Sequence, residues 1–163
     1  MTELALLLSK FDIVDLSHTL QEGIPTFPTH SKFFHMPSGA ANDPTTMFQI
    51  LMHEHNGTHV DAPAHFIRGK IDPERHWMHT IAPDRLLAPC HVLDFSNPAS
   101  EQLLHLEQVK QWEADHQTIQ PGDVVIFNFG IHKRWKLGEA GWSHAEGWPG
   151  LARDTAEYLA EVG

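Results

Sequence analysis

These 163 residues predict a single domain of mixed α/β or α+β class. Three observations carry that prediction. The length is that of one ordinary domain and suffices for a core without staples. Runs rich in β-branched and aromatic residues recur at 11–16, 45–55, 91–95 and 124–129. Apolar residues at helical spacing mark about 2–10, 107–116 and 151–160.

The elements follow in order. Thr2 caps a short helix through about Lys10, with Leu4, Leu7 and Leu8 on one face. Phe11 to Leu16 reads as a strand. Residues 21–44 read as loop, broken by Gly23, Pro25, Pro28, Pro37, Gly39 and Pro44. Thr45 to about His55 reads as a second strand, in which Phe48, Ile50 and Met52 alternate with Gln49, Leu51 and His53. Residues 71–90 fit no single pattern. His91 to Phe95 reads as a strand, and a helix over about 107–116 packs Trp112 on its inner face. Pro121-Gly122-Asp123 is a turn that feeds the strand 124–129. Residues 130–149 read as a long loop, the kind that often carries function, and Trp135, Trp142 and Trp148 there suggest a lid or an oligomer contact. Leu151, Ala152, Ala156, Leu159 and Ala160 mark one face of a closing helix. The sequence stops soon after this helix, where alternating folds add another strand. A missing C-terminal segment is therefore expected.

Charge narrows the partners. Eleven Lys and Arg stand against 21 Asp and Glu, a formal charge of −10. Such a chain is repelled by phosphate backbones and anionic membrane surfaces, which argues against nucleic-acid or membrane binding. No apolar run is long enough to span a bilayer, and no basic region or cleavage site marks a signal peptide. Cys90 is the single cysteine, so disulfides within the chain and cysteine-based zinc clusters are excluded. A cytoplasmic location is the expectation.

The 14 histidines are unusual, and part of them cluster. The stretch His55-Asn-Gly-Thr-His59-Val-Asp61-Ala-Pro-Ala-His65-Phe66 holds two imidazoles and a carboxylate within seven residues. Imidazole nitrogen and carboxylate oxygen suit zinc, manganese and iron. Gly57 lets the backbone turn so that His55 and His59 converge, and Pro63 stiffens the exit. Asn56-Gly57 is a turn signal, which separates this pattern from the helical HExxH arrangement. A divalent ion lowers the pKa of a bound water from about 15.7 to about 7. A free imidazole such as His65 then serves as proton carrier, and Thr58 is placed to hydrogen-bond a ligand and orient it.

The string His55-x-Gly57-Thr58-His59-x-Asp61-x-Pro63-x-His65-Phe66 resembles the signature of the cyclase family of metal-dependent hydrolases, which includes bacterial kynurenine formamidase (arylformamidase) and isatin hydrolase. Asp15-Leu16-Ser17-His18-Thr19-Leu20, Gly23-Ile24-Pro25 with Phe27-Pro28, Gln120 to Val125, and Pro149-Gly150-Leu151 resemble further family segments in the same order. The resemblance implies a mixed α/β fold with a β-rich core. It implies metal ligation by His55, His59 and Asp61, with Asp61 able to bridge two ions, and acid/base catalysis by His65. Phe27 stands where relatives place a substrate-contacting side chain. It further implies one or two zinc or manganese ions, a small-molecule substrate and a homo-oligomer, dimer or tetramer. Family members continue beyond the last helix with a histidine and a glutamate for the metal site. His144 and Glu146 fall in the wrong place for those roles. Residues 1–163 are thus expected to be one cyclase-like domain without the family's C-terminal segment.

The expected function is hydrolysis of an amide-type C–N bond in a small aromatic or cyclic substrate, an N-formylkynurenine-like formamide or an isatin-like lactam. Water activated by the metal attacks the carbonyl, and His65 protonates the leaving nitrogen. The alternative is a non-catalytic family member that keeps a partial metal site and acts in binding or oligomer interaction.

Overall fold

The computed structural model describes residues 2–67, 76–96 and 102–163. The first part of the unassigned stretch 71–90 lies outside the described residues. Helix α1 spans Glu3–Leu8, and Thr2 Oγ1 accepts the Ala5 amide at its start. Its expected apolar face is not buried: Leu4, Leu7 and Leu8 are all exposed. The strand expected at 11–16 does not form. Among the described residues that segment finds no strand partner, so its β propensity goes unused.

Strand β1 (Phe34–Pro37) lies inside the stretch expected to be loop. It pairs antiparallel with β2 (Phe48–Leu51), in the register Phe34 to Leu51. β2 is shorter than expected, and both strands are exposed on both faces, so alternation along them marks no buried side.

The core sits in the second half of the chain. β3 (Cys90–Asp94) pairs parallel with β5 (Val124–Asn128), and β4 (Leu103–Leu104) pairs parallel with β6 (Gly150–Leu151). Helix α2 (Leu106–Asp115) makes the crossover that a parallel β3–β5 pair requires. His105 and Gln108 form a reciprocal box at its start, with the His105 amide donating to Gln108 Oε1 at 3.0 Å. Helix α3 (Arg153–Val162) closes the described chain.

Leu93, Leu104, Val109 and Ile119 form the buried cluster, flanked by Trp112, Phe127, Leu159 and Val162. Trp112 packs as expected. Of the expected apolar face around α3, Leu151, Ala152 and Leu159 pack inward, while Ala156 and Ala160 are exposed and Thr155 and Tyr158 turn inward in their place. Thr155 decides this, because its hydroxyl donates to the buried Leu104 carbonyl at 2.7 Å. Residues 130–149 are less loop-like than expected, with 3₁₀ turns at Ile131–Arg134 and Gly138–Ala145.

The first half is open. The accessible surface is 12645 Å², where about 8,200 Å² is usual for a compact monomer of this mass. Large apolar side chains there are exposed, among them Ile13 at 83%, Leu16 at 79% and Phe66 at 77%.

Candidate metal centre

The segment after β2 builds a rigid turn. The His53 amide donates to Asn56 Oδ1 at 2.7 Å, and the Asn56 amide donates back to the His53 carbonyl at 3.0 Å. Asn56 is 2% exposed and locks this turn from within. Gly57 follows at φ 69°, and a Cβ there would stand 2.6 Å from Leu20 Cδ2. Left-handed backbone and close approach both call for glycine. Ala62 is extended, and Pro63 opens a 3₁₀ turn, Pro63–His65. Thr58 Oγ1 accepts the His18 amide at 2.9 Å and ties the N-terminal segment to the motif.

This backbone brings three predicted residues together. His55 Nδ1 is 2.8 Å from Asp61 Oδ1 and 3.1 Å from His59 Nε2. His59 Nε2 is 3.5 Å from Asp61 Oδ1, which closes a triangle of donor atoms. Nitrogen and oxygen ligands about 2.0–2.2 Å from a tetrahedral ion stand about 3.3 Å apart. The triangle therefore already has the dimensions of one face of such a coordination shell. Tautomer chemistry agrees. His59 Nδ1 is 2.9 Å from the Gly57 carbonyl, a contact only an N–H satisfies, which leaves the Nε2 lone pair facing the triangle. The donor set suits a divalent ion.

His65 stands beside the triangle, its ring centroid 4.3 Å from that of His55 and edge-on to Phe66. A cleft of about 140 Å³ opens here. Its polar wall is Glu54, His55, Asp61 and His65, and Trp77 and Met78 lie on its apolar side. Trp77 was not singled out by sequence; it lies eleven residues past Phe66, too far from the motif for spacing to mark it. His30 and His53 were missed too. Their rings stack at 3.8 Å, and the His30 ring lies 5.4 Å from that of His55. Burial first, then the neighbouring His53, His55 and His65, hold His30 below the ordinary imidazole value. Phe27 does not line the cleft; its ring is half-exposed and 5.2 Å from His30.

The Trp-rich segment packs on the N-terminal half. Trp135 stacks on His18 at 3.9 Å, and His144 lies edge-on to both Trp135 and Trp148. The Gly138 amide donates to the Gly23 carbonyl at 2.8 Å. His144 is thereby enclosed by indoles; burial first, then His18 and Arg134, depress its pKa. A larger cleft, about 360 Å³, opens at the carboxyl ends of β3 and β5; among the described residues that line it, Asp94 is the one carboxylate and none is a histidine.

The chain is similar to known hydrolases. The Cyclase family profile matches residues 14–163. Isatin hydrolase of Roseibium aggregatum is 36% identical over 117 residues, covering 68% of this chain and 44% of that protein. Kynurenine formamidase of Erythrobacter litoralis is 27% identical over 159 residues, covering 93% of this chain and 62% of that protein. The chain thus spans less than two thirds of the length of these relatives. Among solved structures, isatin hydrolase A of Labrenzia aggregata bound to benzyl benzoate superposes with a TM-score of 0.82 at 28% identity, over 98% of this chain and 69% of that one. An isatin hydrolase bound to the product analogue thioisatinate superposes at 0.78 with 27% identity, over 99% of this chain and 71% of that one. With the motif, the fold and the profile in accord over almost its whole length, the chain belongs to the cyclase family of hydrolases.

Proposed function

We propose that this chain carries the metal-binding part of a hydrolase that opens an amide-type C–N bond in a small aromatic or cyclic substrate. The observation that supports it most is the His55–His59–Asp61 triangle with His65 at its side. In this reading His55, His59 and Asp61 would hold zinc or manganese, and Asp61 would be shared where a second ion binds. The ion supplies an acidified water and a Lewis-acid contact for the carbonyl oxygen.

The protein's own residues do the rest. His65 takes a proton from the attacking water and returns it to the leaving nitrogen, a transfer suited to an imidazole near neutral pH. Trp77 and Met78 give a planar ring an apolar surface to rest on. Formamides such as N-formylkynurenine and lactams such as isatin share the required features: a polarised carbonyl, a nitrogen leaving group and a flat ring.

The exposed apolar surface of the first half supports a homo-oligomer, dimer or tetramer, in which that surface is covered. Among the described residues no helix is long and apolar enough to cross a membrane. The test is hydrolysis of N-formylkynurenine and isatin by the zinc- and manganese-loaded protein, followed by absorbance. Turnover that disappears in His65→Ala supports the reading. No turnover of either substrate by a chain that binds metal favours the non-catalytic alternative.

A further inference from the structure

The two histidines of the triangle differ at their far nitrogens. His59 donates Nδ1–H to the Gly57 carbonyl. His55 points Nδ1 into the triangle, and its Nε2 is buried without a hydrogen-bond partner. An imidazole that gives its Nδ1 lone pair to a cation carries its proton on Nε2. That N–H then needs an acceptor, since leaving a buried donor unpaired costs about 1–3 kcal/mol.

One carboxylate faces it. Glu54 Oε1 stands 3.8 Å from His55 Nε2, about an ångström beyond hydrogen-bond length. The Glu54 side chain is 79% exposed, so rotation about its χ angles is free to close the gap. The backbone beneath it is fixed by the paired His53–Asn56 hydrogen bonds. Glu54 also lines the same cleft as His65. We propose that Glu54 is a positioning residue for the metal centre: it accepts the Nε2 proton of His55, holds the ring in the tautomer that presents Nδ1, and makes that nitrogen a stronger donor. This rests on the metal-hydrolase reading.

A rival role is available to the same carboxylate. Glu54, His55 and His65 each bring a ligand-type atom within 4.8 Å of the others, so Glu54 could instead be a direct ligand. Cobalt(II) titration of the 163-residue chain separates the roles, read by visible absorption and by ions bound per chain. Glu54→Ala is expected to weaken cobalt binding about 10–100-fold with the number of ions per chain unchanged. Glu54→Gln, whose amide oxygen still accepts a hydrogen bond, recovers most of the affinity. Metal-free melts of both variants coincide with wild type, because Glu54 is exposed. Wild-type affinity in Glu54→Ala, loss of an ion per chain, or a Gln variant no better than Ala would each overturn the proposal. A wild-type chain that binds no cobalt would instead overturn the metal-hydrolase reading itself.

Discussion

His18 and Thr58 are joined across 40 residues by one hydrogen bond, the His18 amide donating to Thr58 Oγ1 at 2.9 Å. It holds the N-terminal segment against the turn that separates the two metal-type histidines. Thr58→Val keeps the β-branched shape and removes the acceptor. The expected loss is about 1 kcal/mol, or about 2–4 °C in melting temperature for a chain of this size. Thermal melts of both proteins check it. An unchanged melt would mean that the segment is held by the Trp135–His18 stack instead.

Gly57→Ala strains the same turn. A residue with a Cβ at φ 69° pays about 1–2 kcal/mol and meets the Leu20 side chain. Leu20 is flexible, so the backbone conformation dominates the cost. Denaturant unfolding should show that loss. Cobalt binding should weaken in parallel, because His55 and His59 no longer converge.

His65→Ala separates ligand from proton carrier. In the proposed role it leaves metal content intact and lowers kcat about 10²–10⁴-fold. Metal content measured on the same preparation decides the matter. An ion lost with the imidazole would make His65 a ligand.

Glu113 links the core to acid stability. Burial alone would raise its pKa, but hydrogen bonds from Lys110, Tyr158 and the Ile119 amide outweigh it and hold the carboxyl below its ordinary 4.5. A depressed carboxylate stabilises the fold above its unfolded pKa and loses that contribution as pH falls through the folded value. Unfolding free energy should therefore decline as pH falls below about 4.5. Glu113→Gln should show a shallower decline over that window, together with lower stability at pH 7. Equal slopes in the two proteins would remove Glu113 from the acid transition.

The sequence disclosed the site better than the fold around it. Glycine, proline and donor residues within eleven positions of one another specify the His55–His65 turn locally, so it could be read directly. β3, α2 and β5 were legible for the same reason: their periodicity and caps are local. The first half was misread where pairing decides. Phe11 to Leu16 has strand composition but no partner, while Phe34–Pro37 lies among prolines and glycines and is a strand because Phe48–Leu51 pairs with it. Leu151, Ala152 and Leu159 were read correctly as facing inward at α3, but Thr155 escaped because it is held inward by the distant Leu104 carbonyl. His30 reaches the site by a ring stack with His53 that no spacing announces.

Metal content per chain, by elemental analysis of wild type and His59→Ala after growth with zinc and manganese, tests the central claim most directly. The account predicts at least one ion per wild-type chain and its loss in His59→Ala, whose removal breaks the triangle without touching the core. A wild-type chain without metal, or a His59→Ala variant that retains it fully, would contradict the account.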